Sequence, residues 1–140
     1  MSGDGSGHRT VPHTADLRVE AWAPTRCGCI REAVRGTVES FLDLSSAHGA
    51  RIRPRRLTAE SDDELLVAVL DEVIYLLDTT GEAPVDLQLT DTDDGAEADF
   101  TMTDASTLPQ VGAVPKAVSR NDLRLSRDRH GWRCLVTLDV

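Results

Sequence analysis

The segment from Ser61 to Leu77 constrains the fold more than any other part of the chain. Ser61-Asp62-Asp63-Glu64 is a capping box, with acids at the positive end of the helix it opens. The run that follows, Leu65 to Leu77, is apolar nearly all round and is interrupted only by Asp71 and Glu72. A helix without a polar face is a deeply buried one, so the rest of the chain has to cover it. Gly81 and Pro84 close the segment.

The covering elements follow from period and punctuation. Leu17, Val19 and Ala21 alternate with Arg18, Glu20 and Trp22, a strand pattern. Thr25 is an N-cap, and Ile30, Ala33, Val34, Thr37, Val38, Phe41 and Leu42 then recur at three- and four-residue steps, one apolar stripe on a helix. Gly28 and Gly36 lower the intrinsic propensity of that helix, so packing must hold it. Residues 51–60 read as an edge strand, because Pro54 removes a ladder donor. Val85, Leu87 and Leu89 alternate with polar residues, Asp93-Asp94-Gly95 is a turn, and Ala98, Phe100 and Met102 complete a hairpin. Residues 111–118 form a weaker candidate strand. Leu123 and Leu125 lead to a turn at residues 128–131, and a last strand runs from Trp132 to Val140. Strand, helix, strand, helix and then a run of strands is α+β, with helices against mostly antiparallel sheet; the regular alternation of a doubly wound fold is absent.

A chain of 140 residues is one domain. Residues 1–10 are Gly- and Ser-rich and read as a flexible tail, with no apolar core of the kind a secretory signal needs, leaving 11–140 as the domain. No segment approaches the ~18 consecutive apolar residues of a membrane span. Fifteen Lys and Arg stand against 24 Asp and Glu, a net charge of −9. A fold that grips nucleic acid by its phosphates needs the opposite balance, so strong direct RNA or DNA binding is not expected. An acidic surface suits a basic protein partner or a cation. Three cysteines, Cys27, Cys29 and Cys134, make no disulfide framework and point to a reducing cytoplasm. Cys27-Gly28-Cys29 lacks the two-residue spacing of zinc and redox motifs, and reads as incidental thiols.

Candidate chemistry is sparse. His13-Thr14-Ala15-Asp16 stands just before the first strand: its Asp can chelate a cation and its His can orient it, although a loop Asp more often caps a turn. The sequence closes on Asp139-Val140, directly after an apolar strand, which offers the Asp139 side chain and the Val140 α-carboxylate side by side. If the first strand pairs with the last, Asp16 joins them. Three hard oxygen ligands of that kind suit Ca²⁺ or Mg²⁺. The basic cluster Arg51, Arg53, Arg55 and Arg56 reads as a solvated edge-strand face that discourages aggregation, ahead of a contact for RNA or an acidic partner. Asp71 and Glu72 are adjacent on a helix and diverge by about 100°, which favours structural roles over an acid–base pair. Asp91, Asp93 and Asp94 form an acidic turn without the later Glu of an EF-hand loop. His48 and His130 fall in turns and carry no assignment. There is no nucleophile elbow, no phosphate-cradling Gly-rich loop and no Walker pattern.

Taken in order, these features resemble the archease family. The resemblance rests on His13-Thr14-Ala15-Asp16, the helix ending near Phe41-Leu42, the second helix with Leu65-Leu66, Asp71-Glu72 and Asp78, then Pro115-Lys116-Ala117-Val118, Gly131-Trp132 and the closing Asp139-Val140. It covers roughly residues 11–140. It implies an α+β fold of two helices on mostly antiparallel sheets. It also implies a non-catalytic role: promoting guanylylation and multiple turnover of an RtcB-type RNA ligase, in tRNA splicing or RNA repair. A divalent cation site comes with it, usually described with calcium (Mg²⁺ or Mn²⁺ being alternatives), whose ligands fall on Asp16, Asp139 and the main chain of Val140. His13, Lys116, Ser119, Arg120 and Asn121 are the candidate partner contacts. One departure stands out: where the family typically has Thr-Tyr-His, this chain has Ser119-Arg120-Asn121. A broader role as a chaperone or modulator of nucleic-acid-processing proteins is the alternative, and a metal-dependent hydrolase built on the same carboxylates is the reading from a different class.

Overall fold

The computed structural model describes residues 5–13 and 16–140, the side chains of residues 12 and 13 excepted. The apolar run forms α2 (Asp62–Thr80). Ser61 Oγ accepts the Glu64 N–H at 3.1 Å, and the Gly81 N–H returns to the Leu77 carbonyl at 3.0 Å with Gly81 at φ 73°. Leu65, Leu66, Val69, Leu70, Val73 and Leu76 are buried, and only Asp71, Tyr75 and the two ends lie open. The earlier stripe forms α1 (Arg26–Glu39), capped by Thr25, whose Oγ1 accepts the Gly28 N–H at 3.0 Å. This helix stops before the end of its apolar pattern. Phe41 and Leu42 lie beyond it, still buried, with both N–H groups donating to the Val38 carbonyl. Gly36 is explained by packing, since a Cβ there would stand 3.0 Å from the His8 ring and 3.1 Å from Val19.

Two antiparallel sheets cover the helices. The first has the order β1 (Gly7–His13), β2 (Asp16–Ala23), β7 (Gly131–Asp139), β6 (Ala117–Asp128). The second has the order β3 (Arg51–Thr58), β5 (Gly95–Asp104), β4 (Glu82–Thr92). α1 packs against β1, β2 and β7 and also against β4; α2 packs against β6 and against all three strands of the second sheet. Each helix is therefore covered from both sides, which is how a helix as apolar as α2 is tolerated. Val19 and Ala21 of β2, Val136 and Leu138 of β7, and Leu87, Ala98, Phe100 and Met102 of the second sheet complete one core. The architecture is α+β, two helices on two antiparallel sheets.

Three expectations change. Residues 7–10, placed in a flexible tail by their composition, belong to β1 and pair along β2 from Gly7↔Trp22 to Thr10↔Val19. Side chains hold them there: the His8 ring lies 2.9 Å from Glu32 and 2.6 Å from Glu39 of α1, and Arg9 meets Glu20 at 2.6 Å with its guanidinium over the Trp22 ring. Residues 111–116 are not a strand; β6 starts at Ala117 and runs on through Leu125. Pro84 does not close the α2 segment but sits inside β4, at a bulge between Pro84 and Asp86 on an edge strand, where a missing N–H is tolerated. β3 is an edge strand, as Pro54 requires.

Candidate cation and partner-docking site

β2 begins at Asp16 and β7 ends at Asp139, and the antiparallel register makes these two residues Cα partners. Directly opposed residues project from the same face of a sheet, with Cβ atoms about 5 Å apart. His13 pairs with Asp16 from β1, and Ala117 pairs with Asp139 from β6, so one row runs across the four strands. Asp16 is half-buried, Asp139 exposed and Val140 half-buried. The Asp139 carbonyl accepts the Lys116 N–H at 2.7 Å, which fixes the end of β7 against the start of β6, while the Lys116 side chain is exposed. The side chain of His13, with Thr14 and Ala15, lies outside the described residues.

Like charges directly opposed across a strand pair destabilise it, so the Asp16–Asp139 arrangement favours a positive charge between or above the two carboxylates. Their oxygens are hard donors suited to a divalent ion of the calcium or magnesium type. Among the described residues, no group of three or more His, Cys, Asp or Glu stands ready to hold a metal. Among the described residues, further ligands for a cation here would come from the main chain, with Val140 the nearest in sequence.

Ser119 shares the next row on this face with Thr137 and Arg18. Arg120 and Asn121 do not. Between Ser119↔Thr137 and Arg124↔Leu135, β6 loses step with β7, so residues 120–123 stand opposite Val136 alone. Asp122 takes φ 59° within this bulge, and the Asn121 N–H donates to Ser119 Oγ at 3.2 Å. Arg120 turns to α2 and ion-pairs with Glu64. The bulged segment is thus fastened to a helix, with Arg120 and Asn121 out of the row that Ser119 shares.

The other clusters resolve into structural pairs. Arg51 and Arg53 both meet Glu82, at 3.3 and 2.7 Å; Arg55 meets Glu72 at 3.0 Å and Arg56 meets Asp94 at 3.5 Å, so the basic cluster is spent within the fold. Glu72 is committed to Arg55, whereas the exposed Asp71 has its carboxyl raised by burial, against the pull of Arg120. They do not act as an acid–base pair. Asp91 of the acidic turn is taken by Arg26, which also donates to Asp62 at 2.7 Å. Cys27 is pushed up to about 11, by burial first and then by its hydrogen bond to Asp91. Cys134 is pushed up by its hydrogen bond with the Cys29 thiol and by burial. These are thiols rather than the thiolates that metal binding or redox chemistry needs. The sequence carried no sign of the Arg26 bridge, because its partners lie 36 and 65 residues away.

Comparison with known proteins places the sequence and the fold in one family. Residues 8–140 match the model of the archease protein family. A protein of Mycobacterium tuberculosis named "Probable protein archease" is 74% identical over 138 residues, covering 99% of this chain and 77% of the relative. "Protein archease" of Methanosarcina barkeri is 26% identical over the full length of both. The solution structure of protein 1598 from Methanobacterium thermoautotrophicum superposes with a TM-score of 0.76 at 21% identity, over 96% of this chain and 99% of that one. The crystal structure of a Thermotoga maritima archease, described as a "possible chaperone", gives 0.66 at 18% identity, over 94% and 96%. The two structures share the α+β fold, and the family match spans both Asp16 and Asp139. The chain belongs to the archease protein family.

Proposed function

We propose that this protein is a non-catalytic accessory factor that activates an RtcB-type RNA ligase, promoting its guanylylation and multiple turnover in tRNA splicing or RNA repair. The observation that carries the reading is the Asp16–Asp139 pair where the two central strands of the four-stranded sheet begin and end. It offers an acidic contact but no nucleophile, activated thiol or phosphate-holding loop, so nucleotide chemistry belongs to the partner. A divalent cation, calcium first and Mg²⁺ or Mn²⁺ as alternatives, fits the two carboxylates and the Val140 main chain. When bound it supplies positive charge that offsets the opposed carboxylates. Asp16 and Asp139 then hold these strand ends in one geometry, Lys116 N–H pins the Asp139 carbonyl, and Lys116 and Ser119 lie beside them for partner contact. The net charge of −9 argues that the protein meets the ligase rather than its RNA.

The test is multiple-turnover ligation by the same organism's ligase, with GTP and Mn²⁺, with and without this protein. A rise in turnover and in ligase–GMP, lost in Asp16→Ala and Asp139→Ala, is expected. Stimulation that survives both substitutions removes the acidic pair from the mechanism. A second reading, a chaperone for nucleic-acid-processing proteins, takes its support from the Thermotoga maritima relative's description. It predicts suppressed aggregation of unrelated clients and no effect on the active ligase.

A further inference from the structure

A cleft of about 640 Å³ opens between the C-terminal half of α1, the loop after it, β4 and the segment preceding β6. None of its lining residues belongs to the Asp16–Asp139 row. Leu42, Val85 and Val111 supply apolar wall, and Arg35, Glu39 and Asp43 supply charge. Two of those charges are already engaged. The Glu39 carboxylate lies 2.6 Å from His8 Nε2. Asp43 accepts the Ser45 N–H at 2.9 Å, which holds its carboxyl below the usual carboxylate range.

Arg35 differs. Its Nε is sealed from solvent with no acceptor, and its charge acts on Asp86, whose carboxyl it helps to lower, without a hydrogen bond to it. A desolvated guanidinium donor without an acceptor is costly and calls for an explanation. The cleft is also built in advance. The Asp43 N–H donates to the Pro109 carbonyl at 3.0 Å and the Val111 N–H to the Phe41 carbonyl at 2.9 Å, stitching the two wall segments together. Gly112 lies so close under Ser40 that a Cβ would stand 2.2 Å from the Ser40 carbonyl oxygen. Val111 is left 59% exposed at the rim.

We infer that this cleft binds an aliphatic monocarboxylate, the carboxylate on Arg35 and the hydrocarbon against Leu42, Val85 and Val111. A planar guanidinium matches a carboxylate in two parallel hydrogen bonds. A dianion such as phosphate meets a single cation that already shares its charge with Asp86 and is flanked by Glu39 and Asp43, and is disfavoured. Two sources offer the required chemistry: a free short-chain acid, and the carboxy-terminal aliphatic residue of a docked polypeptide. The site is independent of the ligase reading.

The test follows the Arg35 Nε–H and Val111 amide signals of the intact ¹⁵N-labelled protein by NMR. The probes are hexanoate, N-acetyl-leucine, N-acetyl-leucinamide, inorganic phosphate and a blocked tetrapeptide ending in leucine. Both simple carboxylates should shift these signals saturably, and the neutral amide should bind at least about tenfold more weakly. Arg35→Gln should lose the response, and Val111→Asp, at an exposed position, should weaken it without touching the core. Tighter binding of the tetrapeptide than of N-acetyl-leucine identifies a polypeptide terminus; equal binding identifies a free acid. No saturable shift with either carboxylate, equal binding of the amide, or tighter binding of phosphate overturns the proposal.

Discussion

Asp63, in the first turn of α2, accepts the backbone N–H of Leu125 at 2.7 Å, just past the β6 bulge. β6 is the outer strand of its sheet, so this carboxylate satisfies an edge N–H that has no neighbouring strand. Leu125 is only 4% exposed, and water is a poor substitute there. Asp63→Ala should cost about 1–3 kcal/mol by leaving a buried donor unmet. Asp63→Asn, which keeps an acceptor oxygen, should cost less. Urea unfolding measures both, and equal stability of wild type and Asp63→Ala would show that solvent replaces the carboxylate.

Arg26 ties the starts of both helices to β4 through Asp62 and Asp91. The Asp91 carboxyl is held below the ordinary carboxylate range, first by its hydrogen bond from Arg26 and also by that from Cys27. A depressed folded pKa contributes stability above the unfolded value, about 3.9, and loses it as pH falls through the folded value. Arg26→Gln should raise the Asp91 titration midpoint, followed by NMR of the side-chain carboxyl carbon. Acid unfolding should then begin at higher pH than in wild type. An unmoved Asp91 midpoint would show that Arg26 does not set it.

Cys27, held up to about 11 chiefly by burial and then by Asp91, should be a poor nucleophile. Relative to a free cysteine near 8.5, its thiolate fraction at pH 8 falls by roughly two orders of magnitude. Iodoacetamide labelling of the folded protein should be correspondingly slow. Asp91→Asn should speed it in part, because burial remains. Rapid labelling of Cys27 at pH 8 would contradict this environment.

The opposed carboxylates of Asp16 and Asp139 predict opposite effects with and without a divalent ion. In chelator, Asp139→Asn should be as stable as wild type or more so by about 0.2–1 kcal/mol, the scale of a cross-strand charge pair. With Ca²⁺ the wild type should gain thermal stability by linkage, and Asp16→Asn and Asp139→Asn should not. A wild-type melting temperature indifferent to Ca²⁺, Mg²⁺ and Mn²⁺ would leave the pair as a partner contact only.

Much of the fold is legible in the chain because local period and capping are local physics. Ser61 to Gly81 announces α2, Thr25 announces the start of α1, and Asp93-Asp94-Gly95 announces the β4–β5 turn, each through interactions within a few residues. The misreadings share one cause. β1 was hidden because Gly and Ser dominate its vicinity, while its pairing and the His8 contacts with Glu32 and Glu39 come from elsewhere. The β6 bulge was hidden because Asp122 at φ 59° is permitted by its setting, not demanded by its sequence.

The sequence by itself determined the α+β class, the two helices, the acidic surface and the residue types at Asp16 and Asp139. Only the tertiary structure decided that residue 16 stands opposite residue 139, that Arg120 leaves the acidic row for Glu64, and that the Arg35 Nε is sealed without a hydrogen-bond acceptor. Helix and turn signals are written in neighbours a few residues apart. Strand register and the burial of one guanidinium depend on which distant faces exclude water together, and that is settled only when the whole core closes.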